Sequence, residues 1–236
     1  MKRLVLMLLL SLMAVSVAHA ATSKAIFAFT YPPYQLGDVE LQTNNGNSVA
    51  TMTGWYDMGG NHSASNPDYI VGLCGSSDSC NGGDDVFNDF FTFNVTPGTT
   101  SAVLSVYLPD PGAFQSGLSA FYCNCSSLTY QSWDVSTPIA LLQSDNTGQV
   151  AIYNDLGSGT MYGSVVVVPA DQGTQILITL NSAAIASINA AAANGEQWAV
   201  GGSIFGAATT PEPGTISLAL TGLGAGLGML RRRKLI

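Results

Sequence analysis

The chain has almost no basic residues outside its two ends. Of its seven lysines and arginines, Lys2 and Arg3 lie at the start and four lie among the last six residues, so only Lys24 remains between them. Residues 21–210 therefore carry one lysine against fourteen acidic residues, a formal charge of −13. Because a nucleic-acid-binding domain needs a basic surface, this composition argues against nucleic acid as a partner.

Residues suited to catalysis are also scarce. His62 is the one histidine after residue 20, Glu40 and Glu196 are the two glutamates between the ends, and no Gly-x-Ser-x-Gly elbow is present. A glycosidase needs two facing carboxylates, and a serine hydrolase needs a histidine beside its nucleophile. We therefore expect a protein that is not an enzyme, with His62 in a surface loop.

The N-terminus has the pattern of a secretory signal peptide. Lys2 and Arg3 precede an apolar stretch at 4–17 and then Ala18-His19-Ala20, a small-x-small cleavage site. We expect residues 1–20 to direct export by the Sec route and to be removed, so that the exported chain begins at Ala21. An uncleaved N-terminal membrane anchor is the alternative.

The C-terminus combines an acidic proline motif, an apolar segment and a basic end. Pro211-Glu212-Pro213 precedes an apolar run at 214–230. As a helix, the 16 residues at 215–230 would be about 24 Å long, slightly less than the hydrocarbon core of a bilayer. The residues that follow favour a cytoplasmic C-terminus, and they include Arg231, Arg232 and Arg233.

This arrangement resembles the PEP-CTERM sorting signal of Gram-negative bacteria, and the resemblance covers about residues 210–236. In that family the signal is recognised by an exosortase, a membrane cysteine protease-transpeptidase that removes the tail. The resemblance implies a precursor held transiently in the inner membrane by its C-terminal helix, with residues 207–236 as linker and signal. It also implies delivery to the cell surface or extracellular matrix. An ordinary single-pass anchor is the alternative.

Residues 21–206 have the pattern of short strands separated by turn residues. Phe87–Val95 largely alternates between apolar and polar side chains, which predicts a half-buried strand. The regular spacing of strands and turns predicts a single all-β body, an antiparallel β-sandwich or jelly roll. The predicted strands lie at 25–30, 46–58, 87–95, 102–108, 118–123, 128–135, 149–154, 163–168, 175–180 and 197–205.

One segment of the body has the pattern of a helix. Asn181 can cap a helix N-terminus, the following residues are rich in alanine, and Asn194-Gly195 is a typical C-terminal stop. We therefore expect one short helix at about 182–194, packed on an edge of the sandwich.

Four short segments of the body are similar to segments of uncharacterised PEP-CTERM proteins with predicted jelly-roll bodies. The resemblance implies the fold and secretion, and no activity. The segments lie at 54–57, 66–72, 88–93 and 199–202.

The body contains four cysteines: Cys74, Cys80, Cys123 and Cys125. An even number in an oxidising compartment favours disulfides. A Cys74–Cys80 bond closes an easily built loop, whereas Cys123–Cys125 would form a strained ring, and crossed pairing between the two loops is a further option. A zinc site is disfavoured because neither spacing is C-x2-C.

Four aspartates lie within twelve residues of one another, among serine, asparagine and glycine: Asp78, Asp84, Asp85 and Asp89. Loops of this composition supply the oxygen ligands that calcium prefers, so calcium is the one cofactor that the sequence suggests. The pattern departs from an EF-hand, because Cys80 and Gly82 stand at two ligand positions. A solvated acidic loop without metal is the alternative.

Aromatic side chains on a sandwich can bind glycans, and Trp55 and Trp133 are the candidates, with a place in the core as the alternative for each. Taken together, the sequence predicts an exported surface or matrix protein with a structural or adhesive role in biofilm or exopolysaccharide. A carbohydrate-binding module of the cell surface is the alternative function.

Overall fold

Antiparallel strands make up most of the described chain. The computed structural model describes residues 24–28, 39–74, 85–109, 121–122 and 127–205. The segments expected to act as signal peptide and sorting motif, and the helix expected at 214–230, lie outside these residues. Within them, no helix is long and apolar enough to cross a membrane.

The described residues form eleven strands, which confirms the all-β prediction. Every pair whose register is defined is antiparallel. The prediction omits two strands, at 39–43 and 69–74. The strands are β1 (Lys24–Ala28), β2 (Val39–Thr43), β3 (Gly46–Asp57), β4 (Tyr69–Cys74), β5 (Asp85–Phe93), β6 (Ala102–Leu108), β7 (Phe121–Tyr122), β8 (Leu128–Asp134), β9 (Met161–Val167), β10 (Thr174–Thr179) and β11 (Trp198–Phe205).

The strands form one sheet that nearly closes into a barrel. The order is β10-β6-β2-β3-β5-β11-β8-β9, and the two end strands, β9 and β10, lie beside each other. Outside this path β4 pairs with β5, β1 with β4 and β7 with β1. β3 pairs with β2 through residues 46–49 and with β5 through 50–57, with a bulge between Ala50 and Met52. Because a bulge bends its strand, β3 carries the sheet around the barrel.

Apolar side chains from alternate strand positions fill the barrel. Fully burying one large apolar side chain stabilises a fold by about 1.5–3 kcal/mol. Among strand residues, the largest interior side chains that are at most 1% exposed are Leu41, Phe91, Phe93, Leu104, Leu108 and Ile178.

The strand β5 is buried on both faces, so the prediction of a half-buried strand is wrong. Every residue from Phe87 to Phe93 is buried. Phe91 and Phe93 belong to the barrel core, whereas Phe90 belongs to a second cluster on the opposite face. That face is covered by residues 135–160, termed the outer lobe. Since the cover comes from a distant part of the chain, alternation within the strand does not reveal it.

The outer lobe contains two helices that the sequence prediction omits: α1 (Ile139–Leu142) and α2 (Val150–Leu156). The strand expected at 149–154 is therefore wrong. Ile152 and Leu156 are four residues apart and share a helix face, and they pack with Leu142 against Phe90. A 3₁₀ turn at Pro169–Asp171 joins β9 to β10.

The helix predicted at 182–194 is confirmed as α3 (Ser182–Asn194). The side-chain oxygen of Asn181 accepts hydrogen bonds from two backbone amides in the first turn, those of Ala183 and Ala184, at 3.0 and 3.1 Å. Gly195 ends the helix with φ of +68°, a left-handed conformation that favours glycine. Ile188 is fully buried in the barrel core, so α3 packs against that core.

Candidate functional site

A carboxyl group and a phenol meet inside the barrel. Asp89 on β5 is 1% exposed, and its Oδ1 accepts a hydrogen bond of 2.9 Å from the hydroxyl of Tyr130 on β8. Burial raises the pKa of Asp89 to about 8, although the Tyr130 hydrogen bond acts in the opposite direction. At pH 7 Asp89 is therefore mainly a neutral carboxylic acid. Burial and the neighbouring carboxyl also raise the pKa of Tyr130.

Gly202 makes room for this pair. It lies opposite Asp89 in the register of β5 and β11, and a Cβ there would overlap the Tyr130 hydroxyl and Asp89 Oδ1. A cavity of about 20 Å³ adjoins Asp89 and Tyr130 and is otherwise lined mostly by aliphatic side chains. That volume is sufficient for about one water molecule, so this interior space is too small for an organic ligand.

The described members of the aspartate cluster lie in different surroundings. Asp85 begins β5 and is partly buried, whereas Asp89, four residues further along, points into the barrel and hydrogen-bonds to Tyr130. Burial and, to a smaller extent, the charge of Asp57 raise the pKa of Asp85. Among the described residues no three acidic, histidine or cysteine side chains form a metal-binding group. Asp78 and Asp84 lie outside the described residues, and calcium there stays a prediction.

The cysteines lie at the margins of the described chain. Cys74 ends β4, where its backbone pairs with Asp85. Cys80, Cys123 and Cys125 lie outside the described residues. The disulfide pairing therefore stays a prediction.

The two candidate tryptophans differ in their surroundings. Trp55 on β3 is 9% exposed, and its ring packs edge-on against Phe87 with a centroid separation of 5.4 Å. Trp133 on β8 is half-buried, and its Nε1 donates a hydrogen bond of 2.8 Å to the Ser203 hydroxyl. Trp55 thus offers little ring surface to a sugar, and Trp133 offers more.

His62 is buried, so the prediction that it lies on the surface is wrong. Its side chain is 5% exposed and stacks on Tyr56 with ring centroids 4.8 Å apart. Nδ1 lies 2.8 Å from the carbonyl oxygen of Trp55, which can only accept, so Nδ1 carries the proton. Nε2 has no hydrogen-bond partner among the described residues. Burial is the main cause of the lowered pKa of His62, which the charge of Asp145 partly offsets.

The surroundings of His62 join the outer lobe to the barrel. The backbones of His62 and Asn146 exchange hydrogen bonds of 3.0 and 3.1 Å. The Asn146 amide also donates to the Tyr56 hydroxyl at 2.6 Å. Gly60, with φ of +77°, lies so close to the backbone of Gln149 that a Cβ would overlap it. The loop at residues 59–63 is therefore the surface on which the outer lobe packs.

A groove with a volume of about 590 Å³ lies between the start of the outer lobe and α3. Residues 135–140 form one side and the C-terminal half of α3 forms the other, with the buried Trp198 and Ala199 of β11 between them. The volume falls within the ordinary range of small-molecule sites. No sequence motif marks this groove, because its sides come from separate parts of the chain.

Each side of the groove is held by polar contacts. The Asp155 carboxylate of α2 accepts hydrogen bonds from the backbone amides of Ser136 and Thr137 at 3.0 and 2.8 Å, and from both hydroxyls at 2.7 Å. On the other side, Trp198 Nε1 donates to the Ser187 hydroxyl of α3 at 3.1 Å. These contacts give the groove fixed sides.

Asn194 and Glu196 place exposed polar side chains at the rim of this groove. Asn194 Nδ2 lies 3.5 Å from Glu196 Oε2, and within the described chain this is the one side-chain hydrogen bond of either residue. The facing part of α3 carries small side chains, Ser187, Ala190 and Ala191. None of the described residues that line the groove is basic. The site can accept hydrogen bonds from a ligand but has no group to pair with an anion.

Comparison with known proteins identifies no relative of this chain. No protein-family model matches the chain, and neither a curated protein nor a solved structure matches it.

Proposed function

We propose that this chain is an exported protein of the cell surface or extracellular matrix of a Gram-negative bacterium, sorted by an exosortase. The observation that carries this proposal is the order of Pro211-Glu212-Pro213, the apolar run and the arginines, with the residue pattern of a signal peptide at the other end. Its role is structural or adhesive, within biofilm or exopolysaccharide.

The acidic body supports this proposal. An excess of thirteen negative charges keeps residues 21–210 soluble and repels anionic lipids and nucleic acids. In the main path of the sheet the two end strands, β9 and β10, lie beside each other, which limits edge-to-edge aggregation and suits an exported protein.

The finer fold that we propose is a flattened sandwich of the jelly-roll kind. One half consists of β10, β6, β2 and the start of β3, and the other contains the end of β3, β5, β11, β8 and β9. Strands that change sheet at a bulge form the corners of such sandwiches, and β3 has this form.

Mass spectrometry of the protein from its native host tests the sorting proposal. We expect a mature N-terminus at Ala21 and a C-terminus near Pro211–Pro213. An intact Ile236 in the surface fraction would show that the tail is a permanent anchor and would contradict the exosortase step. Replacing Glu212 by alanine should leave the precursor in the inner membrane, whereas Glu196→Ala should not.

A carbohydrate-binding role is the second candidate, and the groove beside α3 is the observation that favours it. The groove combines apolar and uncharged polar side chains over a volume suited to a small ligand. Because Trp55 is buried, such a role does not depend on stacking against its ring.

A further inference from the structure

We propose that the groove between the outer lobe and α3 binds a segment of a neutral polysaccharide, with Asn194 and Glu196 recognising its hydroxyl groups. This inference deepens the carbohydrate-binding alternative and rests on the proposed location of the protein among surface polysaccharides. It assigns the ligand to a site that no sequence motif marks.

The charge of the groove selects against anionic ligands. Glu196 contributes a carboxylate, and the described lining contains no lysine, arginine or histidine. The C-terminal end of α3 adds partial negative charge, because its last carbonyl groups lie at Asn194 beside the groove. An acidic sugar or a phosphate would meet repulsion here, whereas a neutral hydroxyl group can donate a hydrogen bond to either residue.

The hydrogen-bonding groups suit a sugar. A carboxylate accepts through both oxygens, and an amide both donates and accepts, which matches the mixed character of hydroxyl groups. The contact of 3.5 Å between Asn194 and Glu196 places these groups side by side, as neighbouring hydroxyls on one ring require. Both side chains are exposed, so a ligand reaches them without disturbing the core.

The shape of the groove admits a sugar ring. The spacing of Ser187, Ala190 and Ala191 puts them on one face of α3, and their short side chains leave open space. Pro138 and Ile139 supply apolar surface on the other side, against which the C–H face of a pyranose can pack. Asp155 holds this side through four hydrogen bonds, so little ordering is needed on binding.

Calorimetric titration of the full chain with defined oligosaccharides tests the proposal. The neutral probes are cellotetraose, maltotetraose and mannotetraose, and the charged comparator is tetragalacturonate. We expect at least one neutral probe to bind and tetragalacturonate not to bind. Asn194→Ala and Glu196→Gln should each lower the affinity about tenfold, since each removes or weakens a hydrogen bond to the sugar.

A matched pair of substitutions on α3 locates the binding. Ala190→Trp fills the groove from an exposed position and should lower the affinity by more than about a hundredfold, whereas Ala193→Trp, on the same helix but outside the lining, should not change it. Equal melting temperatures of the two variants would show that both fold.

Three outcomes would overturn the proposal: no binding by any neutral probe, a preference for tetragalacturonate, or binding that survives Ala190→Trp. None of these bears on export, which the mature termini test separately. Conversely, an intact tail would refute the sorting step while leaving the groove result unaffected.

Discussion

The buried Asp89 makes a specific prediction about the dependence of stability on pH. The perturbation is Asp89→Asn, which keeps the size of the side chain and an oxygen that accepts the hydrogen bond from Tyr130 but removes the ionisable proton. In the native protein, raising the pH must eventually place a carboxylate beside a phenol in an apolar interior. The amide variant never carries that charge.

The magnitude follows from proton linkage. The pKa of Asp89 rises from 3.8 in the unfolded chain to about 8 in the folded protein, so between these values the folded state binds more protons. The stability that protonated Asp89 contributes is therefore fully present below pH 3.8. It is lost as the pH rises, by up to about 1.4 kcal/mol per pH unit. Over the whole interval the loss is about 6 kcal/mol, a large part of the 5–15 kcal/mol typical of a domain.

Urea unfolding of the full chain between pH 4.5 and pH 8.5 measures this effect. Because other titrating groups are common to both proteins, the difference in unfolding free energy between Asp89→Asn and the native protein isolates Asp89. We expect this difference to shift in favour of the variant by several kcal/mol as the pH rises to 8. Glu40→Gln, which removes a half-buried carboxyl from β2, is the control and should show a far smaller trend.

A constant difference between Asp89→Asn and the native protein across this range would refute the reasoning. It would mean that the folded protein accommodates the charged form of Asp89 as easily as water does. The same trend in the Glu40→Gln control would also refute it, since the effect would then come from net charge.

Three other substitutions test the close contact at Gly202, the buried imidazole of His62 and the cap of α3. Gly202→Ala places a methyl group against Tyr130 and Asp89 and should lower the unfolding free energy by about 1–3 kcal/mol in urea; an unchanged midpoint would contradict this contact. Because burial lowers the pKa of His62 below 6.5, the native protein should lose stability as the pH falls below 6.5, and His62→Phe should lack this component. Parallel curves of unfolding free energy against pH for the native protein and His62→Phe would exclude a contribution from His62. Asn181→Ala should lower the unfolding free energy by about 1–2 kcal/mol by removing the α3 cap. Asn181→Ser loses the hydrogen bond that the Asn181 amide donates to the Met161 carbonyl but can still cap the helix, so it should cost less; equal losses would argue against capping.

Much of the secondary structure was predictable from local pattern. Alternation located most of the strands, and at 102–108 the predicted and observed bounds agree. Asn181 and Gly195 marked both ends of α3, because capping depends on residues adjacent in the chain. The strand β2 also alternates, at Val39–Thr43, so that pattern was available although the prediction omits it.

The errors arise where distant segments cover one another. Residues 149–154 resemble a strand in composition, yet 150–154 belong to α2, in which Ile152 and Leu156 share a face over Phe90. Gly59 and Gly60 suggest an exposed loop around His62, yet Gly60 permits the outer lobe to approach closely. In both cases the segment that packs against these residues lies about 60 or more residues away in the chain.

The sequence by itself determined the charge balance, the all-β class, the position of α3 and the residues that carry the export and sorting patterns. These depend on composition and on neighbours in the chain. Only the tertiary structure decided that Asp89 is a buried partner of Tyr130, that β5 is covered on both faces, and that a groove opens beside α3. Burial and concavity depend on which segments meet in space, and the nearly closed sheet determines those meetings.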